Sequence, residues 1–220
     1  MIRLIFLVLI AFSSQALAGK IYDSLTGAQK TDINLGRQVM VLTDVAGAVW
    51  PRVTVYQAGS ASPEEFAAVF SDYDSAVNYV PNLLKSTISK RMSSTQVWVD
   101  YILDVPFPIP NEAYTVEDTL SHDATDGSFR VDWHLIKATS TKSTVGFVQV
   151  EALGTESLVV FQNFMVPGIP GAGAVRGNAI QQVQDTIQST WDQTLKLKAN
   201  SNAHLQELVL ALKKALNLSF

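Results

Sequence analysis

The sequence predicts an α+β domain in which a curved antiparallel sheet wraps around one long helix near the C-terminus. Three observations carry this. First, residues 84–166 hold successive segments in which apolar and polar side chains alternate, rich in Val, Tyr, Phe and Trp, the pattern of strands with one buried face. Second, the connections between them are short, so neighbouring strands pair antiparallel. Third, after "VPGIPGAG" the period changes, and Ile180, Val183, Ile187, Trp191 and Leu195 line up as one apolar stripe at helical spacing. A sheet with one apolar face must bury it, and this helix is the element of the right size to cover it.

Taken in order, the chain begins with an address. Arg3 precedes an unbroken apolar run, Leu4–Phe12, too short to span a bilayer, and "SSQALA" places Ala16 and Ala18 at a small-residue cleavage site. Residues 1–18 are therefore expected to be a signal peptide, the mature chain to start at Gly19, and the protein to be periplasmic or secreted. A retained membrane anchor is the alternative. With no cysteine, the chain has neither disulfides nor a cysteine-linked lipid anchor. Residues 19–36 are polar and expected to be loose. The main domain is expected over 37–198, and an additional helix over 199–220.

"RQVMVLTDV" reads as a strand, "AGAVWP" as a turn and "RVTVYQAG" as a second strand. A helix then starts with every signal present: Ser62 as N-cap, Pro63 at the first helical position and Glu65 closing a capping box. A second short helix, capped by Asp74 or Ser75, runs through Tyr79 and is stopped by Pro81. Strands follow over 84–91, 95–104, 112–121, 128–137, 144–153 and 157–166. The long helix turns Gln181, Gln184, Asp185, Gln188 and Asp192 away from its stripe. The last helix carries Leu205, Leu208, Val209, Leu212 and Leu216. It is expected to cover the second face of "LVVFQNFMV", which is apolar on both sides; a membrane surface is the alternative partner for its stripe.

One hairpin is legible in register. "TDGS" suits a two-residue turn centred on Asp126-Gly127, which sets Asp123 opposite Arg130, Leu120 opposite Trp133 and Thr119 opposite His134. One face then collects Val116, Leu120, Phe129, Val131, Trp133 and Leu135, and must point at the helix. Asp118 and His122 fall on that same face. Either Asp118 is satisfied locally and His122 sits in water near the turn, or both line a cavity, since an unpartnered buried polar group is costly.

Composition narrows the function. At 47% hydrophobic and 16% charged residues the chain is apolar for a soluble domain, so either the core is large or apolar surface is kept for a ligand. A net charge of −4 leaves no electrostatic footprint for nucleic acid. The three histidines, His122, His134 and His204, do not assemble a metal site, because the first two face opposite sides of the sheet. No G-x-S-x-G elbow exists. "GAGAVRG" lacks the tight turn after a strand, and the following strand, that a dinucleotide loop needs. No cofactor is expected.

The stretch "VPFPIPNEAYTV" places Pro106, Pro108 and Pro110 between two strands, where they keep the link extended and stop it templating a sheet edge. Together with "WPRVTVYQAGSASPEEFAAVFSDYDSAVNYVPNL", "FRVDWHLIKATSTKSTVGFVQVEAL" and "FQNFMVPGIPGAGAVRGNAIQQVQDTI", in that order, it resembles the START-like, polyketide cyclase and lipid-transport (SRPBCC) superfamily, whose fold is called a helix-grip. The resemblance spans about Val49 to Lys198. It implies a space between sheet and helix that holds a lipid, sterol, isoprenoid or polyketide. Phe107 and Ile109 are expected to cover one end of the core or cavity. Many relatives carry an arginine-containing pair where this chain has Glu112 and Ala113, so an anionic-headgroup contact there is not carried over.

The candidate cavity residues are Val99, Tyr101, Tyr114, Val116, Asp118, Leu120, His122, Val131, Trp133 and Gln162. Core packing is the default role of the strand aromatics Trp98, Tyr101, Tyr114 and Trp133. The expected function is non-catalytic binding or transport of a hydrophobic small molecule, with transient membrane contact as a further expectation. The alternatives are a cyclase/dehydratase-type enzyme and an interaction domain with a filled core. Asp118 and His122, four residues apart on one strand, are separated by roughly 13 Å at about 3.3 Å per residue, too far for direct proton relay.

Overall fold

The computed structural model describes residues 19–107, 109–200 and 203–219. The expected signal peptide at 1–18 and Pro108 of the proline link lie outside the described residues. Among the described residues no helix is long and apolar enough to cross a membrane.

Eight antiparallel strands form one sheet: β1 (Val39–Thr43), β2 (Arg52–Gly59), β3 (Leu83–Arg91), β4 (Gln96–Leu103), β5 (Glu112–Asp123), β6 (Ser128–Ala138), β7 (Thr141–Leu153) and β8 (Glu156–Pro167). Their order is β1-β2-β8-β7-β6-β5-β4-β3, so β3 to β8 form a meander whose last strand pairs with β2. The long helix α4 (Arg176–Ala199) follows a short 3₁₀ turn at Ala172–Val175 and lies across the sheet. This is the expected helix-grip.

The helix α3 (Pro63–Phe70) starts as the sequence dictates. The Ser62 hydroxyl accepts from the Glu65 N–H at 3.2 Å, and the Glu65 carboxylate accepts from the Ser62 N–H at 2.8 Å. The next turn, Tyr73–Asn78, is 3₁₀ rather than α. Val53, Val55, Phe66, Phe161, Val183, Ile187 and Trp191 join in the main core between sheet, α3 and α4.

Trp191 is the centre of the grip. It is 1% exposed and meets Phe66 with ring centroids 4.6 Å apart. It also lies over Gly59 of β2, where a Cβ would come within 2.6 Å of the indole. The stripe departs from expectation at its far end. Leu195 is exposed, while Thr190 and Thr194 are buried in its place. These hydroxyls donate to the carbonyls of Thr186 and Thr190, at 2.7 and 2.8 Å, so neither is buried without a partner. Nor is the polar side idle: Gln57 on β2 donates to Gln188 at 2.8 Å, and Gln184 donates to Gln38 at 3.1 Å.

The two ends of the chain differ from expectation, and for related reasons. Residues 19–36 are not loose. They form α1 (Lys20–Ser24) and α2 (Gly27–Asn34), whose Ile21, Leu25 and Ile33 pack on Leu158 and Val160 of β8. The buried Glu151 on β7 anchors this layer by accepting from the N–H groups of Ile21 and Tyr22 at 3.0 and 2.9 Å. The second face of β8 is therefore covered by the N-terminal helices and not by the last helix. That helix, α5 (Ala203–Ala215), packs against α3 instead, burying Leu205 and Leu212 beside Val69 and Phe66.

The β5–β6 hairpin turns through a longer loop than the two residues expected. Asp123 pairs with Ser128, Leu120 with Val131, and Asp118 with Trp133. Asp123 accepts from the N–H and hydroxyl of Thr125, and Asp126 accepts from the Ser128 N–H, so side chains stabilise a loop of residues 124–127. The shift is two residues, an even number, so each side chain keeps its expected face.

Candidate functional site

Between the first half of α4 and the inner face of the sheet lies a cavity of about 420 Å³, lined from β2 to β8. The helices cover the sheet unevenly: α4 leans toward β2, and α3 lies over β6 and β7. The β4–β5 end is thereby left without a tight lid. Phe70, Trp133, Phe161, Ile180 and Val183 make much of the apolar wall. The Trp133 indole fits because Gly146 lies opposite it on β7, where a Cβ would collide with the ring. Its N–H donates to Asn163 on β8 at 3.2 Å.

The polar end is built around Asp118. Its carboxyl is 3% exposed, lines the cavity, and has one oxygen, Oδ1, without a hydrogen-bond partner. Burial pushes its pKa up to about 7, and the Tyr73 hydroxyl draws it back only in part. Tyr73, Tyr101 and Tyr114 surround it, each with its own pKa raised, first by burial and next by the Asp118 charge. Tyr101 and Tyr114 pack with ring centroids 5.4 Å apart.

The rim is formed by the proline link, the start of α4 and the turn before β3. Gln182 of α4 donates to the Pro81 carbonyl at 2.6 Å and accepts from Asn82 at 2.8 Å, tying two sides of the mouth together. Ile109 lines the cavity as expected of an end cover, but Phe107 does not: it is 96% exposed and turned to solvent. Glu112 lies at the cavity edge with its carboxylate engaged by the chain itself. It caps the β6–β7 turn by accepting from the N–H groups of Ser140 and Thr141 at 3.1 and 2.9 Å.

Of the residues singled out from sequence, Tyr101, Tyr114, Val116, Asp118 and Trp133 line the cavity. Val99, Leu120 and Val131 pack into core clusters beside it. His122 does not line it; it packs at a tilt against Phe129 with centroids 4.7 Å apart, nearer the hairpin turn. It therefore forms no pair with Asp118. Gln162 points to the opposite face of β8, toward Thr54, and its neighbour Asn163 occupies the cavity side. Because β8 is apolar on both faces, alternation did not reveal which of the two turned inward. Trp98 is likewise on the outer face, donating to Glu117 at 2.8 Å. Sequence reasoning missed Tyr73, Phe70 and Asn163. Tyr73 sits in an irregular turn with no periodicity to assign its direction. Among the described residues, no group of three or more His, Asp or Glu side chains is placed to hold a metal ion.

Comparison with solved structures places this architecture. A STAR-related lipid transfer protein from Xanthomonas axonopodis superposes with a TM-score of 0.65 at 14% identity, covering 71% of this chain and 93% of that one. Human StAR-related lipid transfer protein 5 gives 0.60 at 9% identity, covering 78% and 92%. The di-domain aromatase/cyclase StfQ of the steffimycin biosynthetic pathway gives 0.51 at 7% identity, covering 66% of this chain and 45% of that one. No family model matches the chain, and no curated protein does. The fold is the START-like helix-grip. At these identities the likeness is one of fold.

Proposed function

We infer that this protein binds, and carries or presents, a hydrophobic small molecule in the space between sheet and α4. The observation that carries this reading is the cavity itself: about 420 Å³ of mostly apolar lining with one buried carboxyl that keeps an unpartnered oxygen. That size and character are those of small-molecule sites, roughly 300–1,000 Å³ with few polar groups. The lipid-transfer proteins that share the fold support it. The uncharged apolar dye Nile red is expected to bind the purified protein and to raise its melting temperature by mass action. Trp133→Ala is expected to weaken that binding by roughly tenfold, about 1.4 kcal/mol, because the indole is a large part of the wall. If no apolar probe binds, the interaction-domain reading replaces this one.

A second reading, a cyclase/dehydratase-type enzyme, has one observation in its favour. A carboxyl brought to about 7 inside a cavity is tuned for acid–base work near neutral pH. Turnover of a bound substrate, abolished by Asp118→Asn with affinity intact, would establish it. A ligand recovered unchanged after long incubation supports binding alone.

The binding function is proposed to operate outside the cytoplasm, on a chain whose first residue is Gly19. Intact-mass measurement of protein from its own envelope or medium should show that N-terminus. Retention of Met1 would replace export with anchoring.

A further inference from the structure

We propose that the cavity selects amphiphiles whose buried head donates a hydrogen bond and carries no negative charge, a hydroxyl or an amine, and rejects carboxylates and other anionic heads. This rests on the ligand-binding reading above and narrows it to a class of head.

Geometry and charge both point this way. Asp118 lies at the inner end of the apolar wall, between Val116 and Leu120 on β5 and opposite Trp133 on β6. Its Oδ1 has no donor from the protein, so the site presents an acceptor in need of a hydrogen. Among the described residues no lysine or arginine lines this end of the cavity; Arg91 on β3 acts on Tyr73 but is not part of the lining. The charged side chains around the cavity are Asp104, Glu112, Asp118 and Asp185, against Arg176 alone. Arg176 stands at the exposed start of α4 and already faces Asp44 at 3.6 Å. A carboxylate head pushed against Asp118 would therefore meet like charge in a desolvated place, with no guanidinium or ammonium in the lining there to pair with it. A hydroxyl satisfies Oδ1 whichever protonation state is present on the other oxygen. An ammonium does so with added Coulomb attraction once Asp118 is ionised, and the neighbouring Tyr73, Tyr101 and Tyr114 rings supply faces that suit a cation.

The two accepted heads separate by pH. The groups facing Asp118 are the Tyr73 hydroxyl from the 3₁₀ turn, Tyr101 from β4 and Tyr114 from β5, all held protonated through the neutral range. Arg91 on β3 acts on Tyr73 and Glu112 on β5 acts on Tyr114, while Asp185 on α4 also belongs to the lining. Asp118 is thus the group at this end that titrates between mild acid and mild base.

The test is competition against Nile red by dodecanol, dodecylamine and dodecanoate, each below its aggregation concentration, at pH 5.5 and pH 8. At pH 8, dodecanol and dodecylamine are expected to displace the dye at concentrations at least tenfold below dodecanoate. Moving from pH 5.5 to 8 should strengthen dodecylamine and leave dodecanol nearly unchanged. Asp118→Asn should abolish the pH dependence for the amine and narrow its advantage over dodecanoate. Dodecanoate binding as tightly as the amine at pH 8 in the wild-type protein would overturn the proposal while leaving the cavity reading intact. So would an Asp118→Asn variant with an unchanged ranking. If neither the dye nor any twelve-carbon ligand binds or shifts the melting temperature, the cavity reading fails, and this inference with it.

Discussion

Trp191→Ala is expected to lower stability by about 3–5 kcal/mol, the range for removing a large buried aromatic side chain. The site has little means of collapsing. Phe66 on α3 and the Gly59 backbone on β2 both lie close against the indole, and both belong to elements fixed by other contacts. The indole N–H is itself buried without a partner, so part of the lost packing is offset by removing that unpaired donor. Urea unfolding of wild type and variant measures the effect. The control is Gln188→Ala on the exposed side of α4. It leaves the buried Gln57 amide without its acceptor, so it is expected to cost about 0.5–1.5 kcal/mol, more than a free surface position but well below Trp191. Equal effects would mean that the helix is not docked through Trp191.

Stability is expected to fall as pH rises from about 5 to 8, and Asp118→Asn to remove much of that fall. The sign follows from the direction of the shift. Asp118 has a folded pKa of about 7, above its ordinary value of 3.8, so between those values the folded state holds a proton that the unfolded state has released. The contribution is complete at the acid end of that window and is lost as pH rises through 7. At about 1.36 kcal/mol per pH unit, the upper bound across the window is on the order of 4 kcal/mol. Glu151 is also shifted upward by burial and adds a slope of the same sign. Asp123, lowered to about 2 chiefly by its bonds from Thr125, acts in the opposite direction and only in strong acid. The informative quantity is therefore the difference between wild type and Asp118→Asn, by urea unfolding at pH 5, 6.5 and 8. Parallel pH profiles for the two proteins would show that the carboxyl is not buried in its charged form. An amine, which binds ionised Asp118 more tightly, should flatten the wild-type profile, whereas an alcohol should raise it evenly, which links this measurement to the head preference proposed above.

Much of the fold was legible because its signals are local. The capping box at Ser62 and Glu65, the alternation of β3 to β8 and the stripe of α4 each depend on residues a few positions apart, and backbone hydrogen bonding enforces their periods. The inward placement of Asp118 was legible for the same reason. Alternation along β5 sets its face, and the two-residue error in hairpin register preserved it. The N-terminal helices had one local sign, the Thr26 and Gln29 capping box, but their apolar residues are too sparse to form a stripe.

By itself, then, the sequence determined the strands, the gripping helix, the faces of the alternating strands and the presence of a carboxyl among apolar neighbours. Tertiary structure alone decided what covers each apolar face and which inward residues meet empty space. Leu158 and Val160 were evidently to be buried, but whether by α1 and α2 or by α5 depended on a contact between residues more than a hundred positions apart, Glu151 with Ile21 and Tyr22. Val99 and Tyr101 lie two apart on the same face of β4, yet Tyr101 lines the cavity and Val99 is packed into the core. Local periodicity sets direction. Whether a side chain finds a neighbour or a void depends on how far α4 leans toward β2, and that is set by all the packing contacts of the helix together.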